Sequence, residues 1–151
     1  MREPGIAWWP GKIKAGTTTH ELACSMDLFT TCLELAGVPL PTDRVMDGVD
    51  MRPVLFGTGP SKRDTMFYYR GDELFAIRKG RFKAHYTTAP GYGSPGKELK
   101  FEKQEAPLLF DLAADPGEKF DVAKEHPDIV QQIAQELEKH RAGLVAAKPQ
   151  Y

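Results

Sequence analysis

The chain has 151 residues and a formal net charge of -1. That length suffices for a domain with a buried core, and the near-neutral balance argues against nucleic acid or an anionic membrane as partner. The absence of any long apolar run excludes a membrane-spanning helix of the usual length.

The first residues carry no leader pattern: Met1 is followed by Arg2, Glu3 and Pro4. The segment reads as the interior of a larger enzyme rather than as the start of a domain. Ile6–Trp9 is short and continuously apolar, the pattern of a strand covered on both faces, and Pro10-Gly11 ends it. At least one of Trp8 and Trp9 is expected in the core. Thr17–Ser25 reads as extended or irregular chain. Asp27 is placed as an N-cap, with Leu28, Phe29, Cys32, Leu33 and Ala36 on one helical face and Gly37 as the residue that closes the helix. Val38-Pro39-Leu40-Pro41 cannot continue it. Asp47–Asp50 is a turn, and Met51–Phe56 predicts one more helical turn.

The pattern changes near residue 64. Thr65–Arg70, Glu73–Lys79 and Arg81–Thr87 predict three strands joined by tight connections at Gly71-Asp72 and Lys79-Gly80. On the third, Phe82, Ala84 and Tyr86 share one face, and Lys83, His85 and Thr87 the other. Residues 88–107 read as a long loop, Leu108–Leu112 as a fourth strand and Asp115–Glu118 as a turn. Pro127 at N1 and Asp128 in the first turn open a long helix, with Ile129, Val130, Ile133, Ala134, Leu137, Leu144 and Val145 as its buried stripe. The expected fold class is α+β: a four-stranded antiparallel sheet packed on a long C-terminal helix (residues 64–151), preceded by an edge strand and helix of an α/β layer (residues 1–63).

Several stretches resemble, in order, the sulfatases of the arylsulfatase A and N-acetylgalactosamine-6-sulfatase type. They are Met1-Arg-Glu-Pro4 with Ile6-Ala-Trp-Trp-Pro-Gly11, Met26-Asp-Leu-Phe-Thr-Thr31, Leu35-Ala-Gly37, Asp47-Gly48, Phe67-Tyr-Tyr-Arg-Gly-Asp72, Lys83-Ala-His-Tyr86, and Leu109-Phe-Asp-Leu112 with Asp115-Pro-Gly-Glu118. The resemblance implies an alkaline-phosphatase-like α/β core with a C-terminal subdomain. It implies hydrolysis of sulfate esters by a formylglycine made from cysteine, with calcium held by Asp and Asn. It also implies export, to a periplasm or a lysosome, by a signal that this chain does not display.

None of that machinery maps onto the chain. Cys24 and Cys32 lack the Cys-x-Pro-Ser-Arg-like context and read as small apolar side chains, and there is no Asn at all. The four His are scattered, and Asp43, Asp47 and Asp50 lack the glycine and terminal glutamate of a calcium loop, so they read as a solvated turn. The resemblance places the last catalytic lysine upstream of Met1. The expectation is therefore no catalytic residue, no metal ligand and no cofactor in this chain, and no sulfatase activity from it alone.

Two residues remain as substrate contacts at a cleft rim of the intact enzyme. His85 offers an imidazole N–H to anionic oxygens, against a bland role as a strand histidine satisfied by a neighbouring group. Arg70 could line the same cleft, against a structural ion pair that fixes the sheet. Arg70-Gly71-Asp72 also spells an adhesion tripeptide, which Gly-Asp turn chemistry explains. The expected partners are the missing N-terminal catalytic part of a sulfatase and a second copy, through residues 1–40, because an unpaired apolar strand invites pairing. The rival readings are an autonomous oligomerising or binding module, and a weak ester hydrolase using His85 or His20.

Overall fold

The computed structural model describes residues 3–89 and 101–144. The chain divides into two units, Met1–Asp64 and Thr65–Tyr151.

The first unit holds two helices, α1 (Met26–Ala36) and α2 (Arg52–Leu55), among irregular chain. Gly37 closes α1 at φ 67°, where its N–H and that of Val38 bond back to the carbonyls of Glu34 and Leu33. Asp27 is not the N-cap. The helix starts after Ser25, and Asp27 stands in its first turn, fully buried. The helix is also turned inside out relative to its apolar stripe. Asp27, Thr30 and Thr31 face inward, whereas Leu28, Phe29 and Leu35 are exposed. The inward stripe is covered by the loop at 47–51. Thr31 Oγ1 donates to the Asp27 carbonyl (2.6 Å) and accepts from the Met51 N–H (2.9 Å). Gly48 permits this approach, because a Cβ there would collide with the Met26 carbonyl oxygen and stand 2.6 Å from Thr30 Oγ1.

Three further expectations fail in this unit. Ile6–Trp9 forms no strand with any described residue, and both tryptophans are exposed, Trp8 by 83% and Trp9 by 42%. An apolar run supplies side chains for a sheet but not the neighbouring strands whose amides would pair with it. Asp50 is not solvated: it is buried against Arg52.

The second unit is a four-stranded antiparallel sheet in the order β1 (Thr65–Arg70), β2 (Glu73–Lys79), β3 (Phe82–Thr88), β4 (Glu102–Asp111), with α3 (Pro127–Gly143). Gly71 and Gly80 take the left-handed φ that tight hairpins require. The register sets Phe67 beside Ile77, Ile77 beside Ala84 and Ala84 beside Leu109. That row packs on Ile133 and Leu137 of α3 to form the core. Of the expected α3 stripe, Ala134 and Leu144 are exposed, and Val145 lies outside the described residues. β4 begins at Glu102, well before the expected Leu108, so residues 102–107 are strand and not loop.

Candidate functional site

Strand alternation puts Lys83 and His85 on the sheet face opposite the α3 core. The Asp115–Glu118 turn delivers a carboxylate to both. Lys83 Nζ donates to Glu118 Oε1 at 2.7 Å, and His85 Nε2 meets Glu118 Oε2 at 2.7 Å. The Glu118 backbone has φ 55°, a left-handed conformation uncommon for a residue with a side chain. Two aromatic rings frame the cluster: Lys83 Nζ lies 5.0 Å from the Tyr68 ring centroid, and the Phe110 ring meets His85 edge-on at 5.5 Å. The β3–β4 register slips between His85 and Thr87, so the pairing is irregular beside the imidazole.

The charges in this cluster have defined directions. Burial alone would raise the Glu118 carboxyl; the bound Lys83 ammonium and His85 imidazole outweigh it and hold the carboxyl below its usual range. Burial and the Lys83 charge push the His85 imidazole down, against the pull of Glu118. His85 is therefore neutral at pH 7, with its proton on Nε2 facing the carboxylate and a lone pair on Nδ1.

A pH dependence follows. The folded His85 pKa lies below its unfolded value, so the unfolded chain takes up the proton first as pH falls. Stability is full above about pH 6.5 and is lost as pH falls from there through the folded pKa. The depressed Glu118 acts with the same sign, its contribution being present above about pH 4.5 and lost as pH falls through its folded pKa. His85→Gln keeps an N–H donor but cannot titrate. Urea unfolding midpoints measured across this range should show a shallower acid loss in H85Q; an unchanged slope would show that His85 does not carry it.

Arg70 stands apart from this cluster in its contacts. It ends β1, is exposed, and its guanidinium lies 4.9 Å from the Phe101 ring centroid, which in turn meets Phe75 edge-on at 5.1 Å. Glu118 was not foreseen as a functional group. Its only sequence signal was the Asp-Pro-Gly-Glu turn, which says nothing about partners more than thirty residues away.

In the first unit the buried acids are occupied. Asp27 binds the Arg63 guanidinium, with Nη2–Oδ1 at 2.5 Å, and accepts the N–H groups of Val49 and Cys24. Asp50 binds Arg52 and Lys62, and Arg52 reaches Glu34 at 2.6 Å. Among the described residues no group of three or more His, Cys, Asp or Glu is placed to hold a metal ion. Cys24 precedes α1 and Cys32 is exposed on it; both are free thiols.

A family model described as the C-terminal region of aryl-sulfatase matches residues 61–151. The N-acetylgalactosamine-6-sulfatase of Canis lupus familiaris is 41% identical over 169 aligned positions, covering 99% of this chain and 32% of its own length. Arylsulfatase A of Homo sapiens is 41% identical over 163 positions, covering 97% of this chain and 32% of its own. Among solved structures, the PsFucS1 sulfatase from Pseudoalteromonas sp. superposes with a TM-score of 0.83 at 27% identity, over 92% of this chain and 29% of that one. The chain thus spans about a third of the length of the curated relatives it matches.

Proposed function

This chain belongs to the sulfatase family, to which it contributes the C-terminal region, and from that premise we propose that it is one part of a sulfuric ester hydrolase and is inactive as a sulfatase by itself. The observation that carries this reading is the asymmetry of coverage: nearly all of this chain matches, yet only 32% of the relative does.

The residues present do not fit the family's cofactors. Cys24 is followed by Ser-Met-Asp and Cys32 by Leu-Glu-Leu, neither being the modification sequence. The buried carboxylates of Asp27 and Asp50 already face guanidinium groups, which leaves no anionic cage for calcium among the described residues. No catalytic step is assigned to either group in this chain.

The intact protein acts, on this reading, on a sulfate ester of a sugar or an aryl alcohol. Arg70 presents an accessible cation of the kind that receives an anionic substrate group at the cleft rim. His85 is the weaker rim contact, because its Nε2–H is committed to Glu118 and the neighbouring Lys83 opposes a second proton.

The test is a chromogenic aryl sulfate assay with added calcium on protein of verified mass 16.8 kDa. No turnover is expected. Turnover that follows the chain through successive purification steps would overturn the reading, since it could not use the family's nucleophile.

A further inference from the structure

The Glu118 carboxylate is shared between two donors in a fixed order. The buried Lys83 ammonium holds Oε1 at 2.7 Å, and Oε2 is left to meet His85 Nε2, also at 2.7 Å. An ionised carboxylate accepts and cannot donate, so the proton of that contact sits on His85 Nε2. The other ring nitrogen, Nδ1, is then an acceptor without a hydrogen. Burial and the Lys83 charge oppose the second proton that would make it a donor. Among the described residues the fully buried polar side-chain atoms without a partner are Thr30 Oγ1 and Tyr86 OH, so Nδ1, which bonds nothing described, is open to solvent.

The turn that aims Glu118 is itself held on both sides. The Glu118 N–H bonds the Asp115 carbonyl at 3.2 Å, and Asp115 Oδ2 accepts the N–H groups of Lys119 and Phe120 at 2.6 and 2.9 Å. At φ 55° a glycine would sit with less strain, and a glutamate kept there points to a use for its side chain.

We propose that Glu118 is a positioning residue of the intact enzyme: it fixes the His85 tautomer so that Nδ1 accepts a hydrogen bond from a hydroxyl of a sugar sulfate. The inference rests on the sulfatase reading above and narrows it. A neutral Nδ1 has no hydrogen to offer a sulfate oxygen, and its lone pair repels one. His85 therefore reads a neutral donor of the substrate and not the anion. A sugar ring carries hydroxyl donors, whereas a simple aryl sulfate has none.

The test reads the nitrogen NMR resonances of the His85 ring, identified by their loss in His85→Gln. It uses this chain and a single polypeptide in which the chain replaces the matched part of the dog N-acetylgalactosamine-6-sulfatase. In this chain the expected state is one tautomer, protonated at Nε2. Glu118→Gln should invert it: Lys83 keeps the amide oxygen, the amide NH2 donates to Nε2, and the ring proton moves to Nδ1. A mixture of tautomers in the unsubstituted chain, or an unchanged tautomer in E118Q, would overturn the positioning role. In the grafted protein the sulfated sugar named for that relative, N-acetylgalactosamine 6-sulfate, should shift Nδ1 toward its hydrogen-bonded value, and a nitrophenyl sulfate should not. No shift with the sugar ester, or an equal shift with both esters, would overturn the proposal. Hydrolysis of the sugar ester without that shift removes this inference and leaves the sulfatase reading standing; the shift without hydrolysis does the reverse.

Discussion

Asp27→Ala should destabilise the first unit by about 3–5 kcal/mol, the cost of breaking a buried ion pair from one side. The Asp27 side chain is 1% exposed and that of Arg63 is 9% exposed. Removing the carboxylate strands a guanidinium whose remaining described partner is the Asp47 carbonyl at 2.6 Å. It also orphans the N–H groups of Val49 and Cys24, bonded to Asp27 at 2.9 and 2.8 Å. Burial would raise the Asp27 carboxyl, but Arg63 and the two amides prevail and hold it below its usual value. The sign is that of a depressed acid: the contribution is complete above about pH 4 and is lost as pH falls through the folded pKa, so the D27A penalty should shrink in acid. Urea unfolding followed by hydrogen exchange of the α1 amides measures this. A penalty within experimental error of zero at neutral pH would show that the pair contributes nothing net. The double replacement Asp27→Leu with Arg63→Met removes both charges together and should recover the share of the loss due to the unpaired guanidinium, while the Val49 and Cys24 amides stay without their acceptor.

Leu109→Ala should cost the second unit about 2–5 kcal/mol through lost burial and an unfilled cavity. Leu109 is fully buried at the end of the Phe67–Ile77–Ala84–Leu109 row, against α3. Its backbone is pinned as well: the N–H donates to Asp121 Oδ1 at 2.9 Å, and the carbonyl accepts from Val122 at 2.8 Å. These bonds use outward groups of an edge strand, so the chain cannot slide to refill the space left by the side chain. Leu144→Ala, at a half-exposed position, should change stability by no more than about 0.5 kcal/mol. Thermal unfolding followed by far-ultraviolet circular dichroism separates the two variants; equal midpoints would remove Leu109 from the core.

The second unit was largely legible in the sequence because its rules are local. Period-two alternation and glycine turns placed three strands within a residue or so, and Pro127 marked the start of α3. The first half of β4 was hidden by its composition. Glu102–Pro107 is charged and contains a proline, as suits a sheet edge, and the pairing of Lys103 with Thr87 and of Glu102 with Thr88 reveals it. The first unit was misread for a different reason. The stripe through Leu28, Phe29 and Cys32 is a real amphipathic signal, but periodicity says that a face is apolar, not that this chain supplies its cover. The polar stripe went inward because Arg63, the Gly48 loop and the Met51 amide, all distant in sequence, meet it there. The Lys83–Glu118–His85 cluster was half visible: alternation aligned Lys83 with His85, and the carboxylate that joins them comes from beyond the next strand.

The inverted α1 has a consequence for how heat acts on the protein. Unfolding raises heat capacity where it wets hydrocarbon and lowers it where it wets polar groups. The first unit hides two carboxylates, two threonines and an ion-paired guanidinium while leaving much of its hydrocarbon already wet. Its heat-capacity increment must therefore fall short of the usual 12–15 cal/mol/K per residue, roughly, and its stability must follow a flatter curve with temperature than that of the aliphatic second unit.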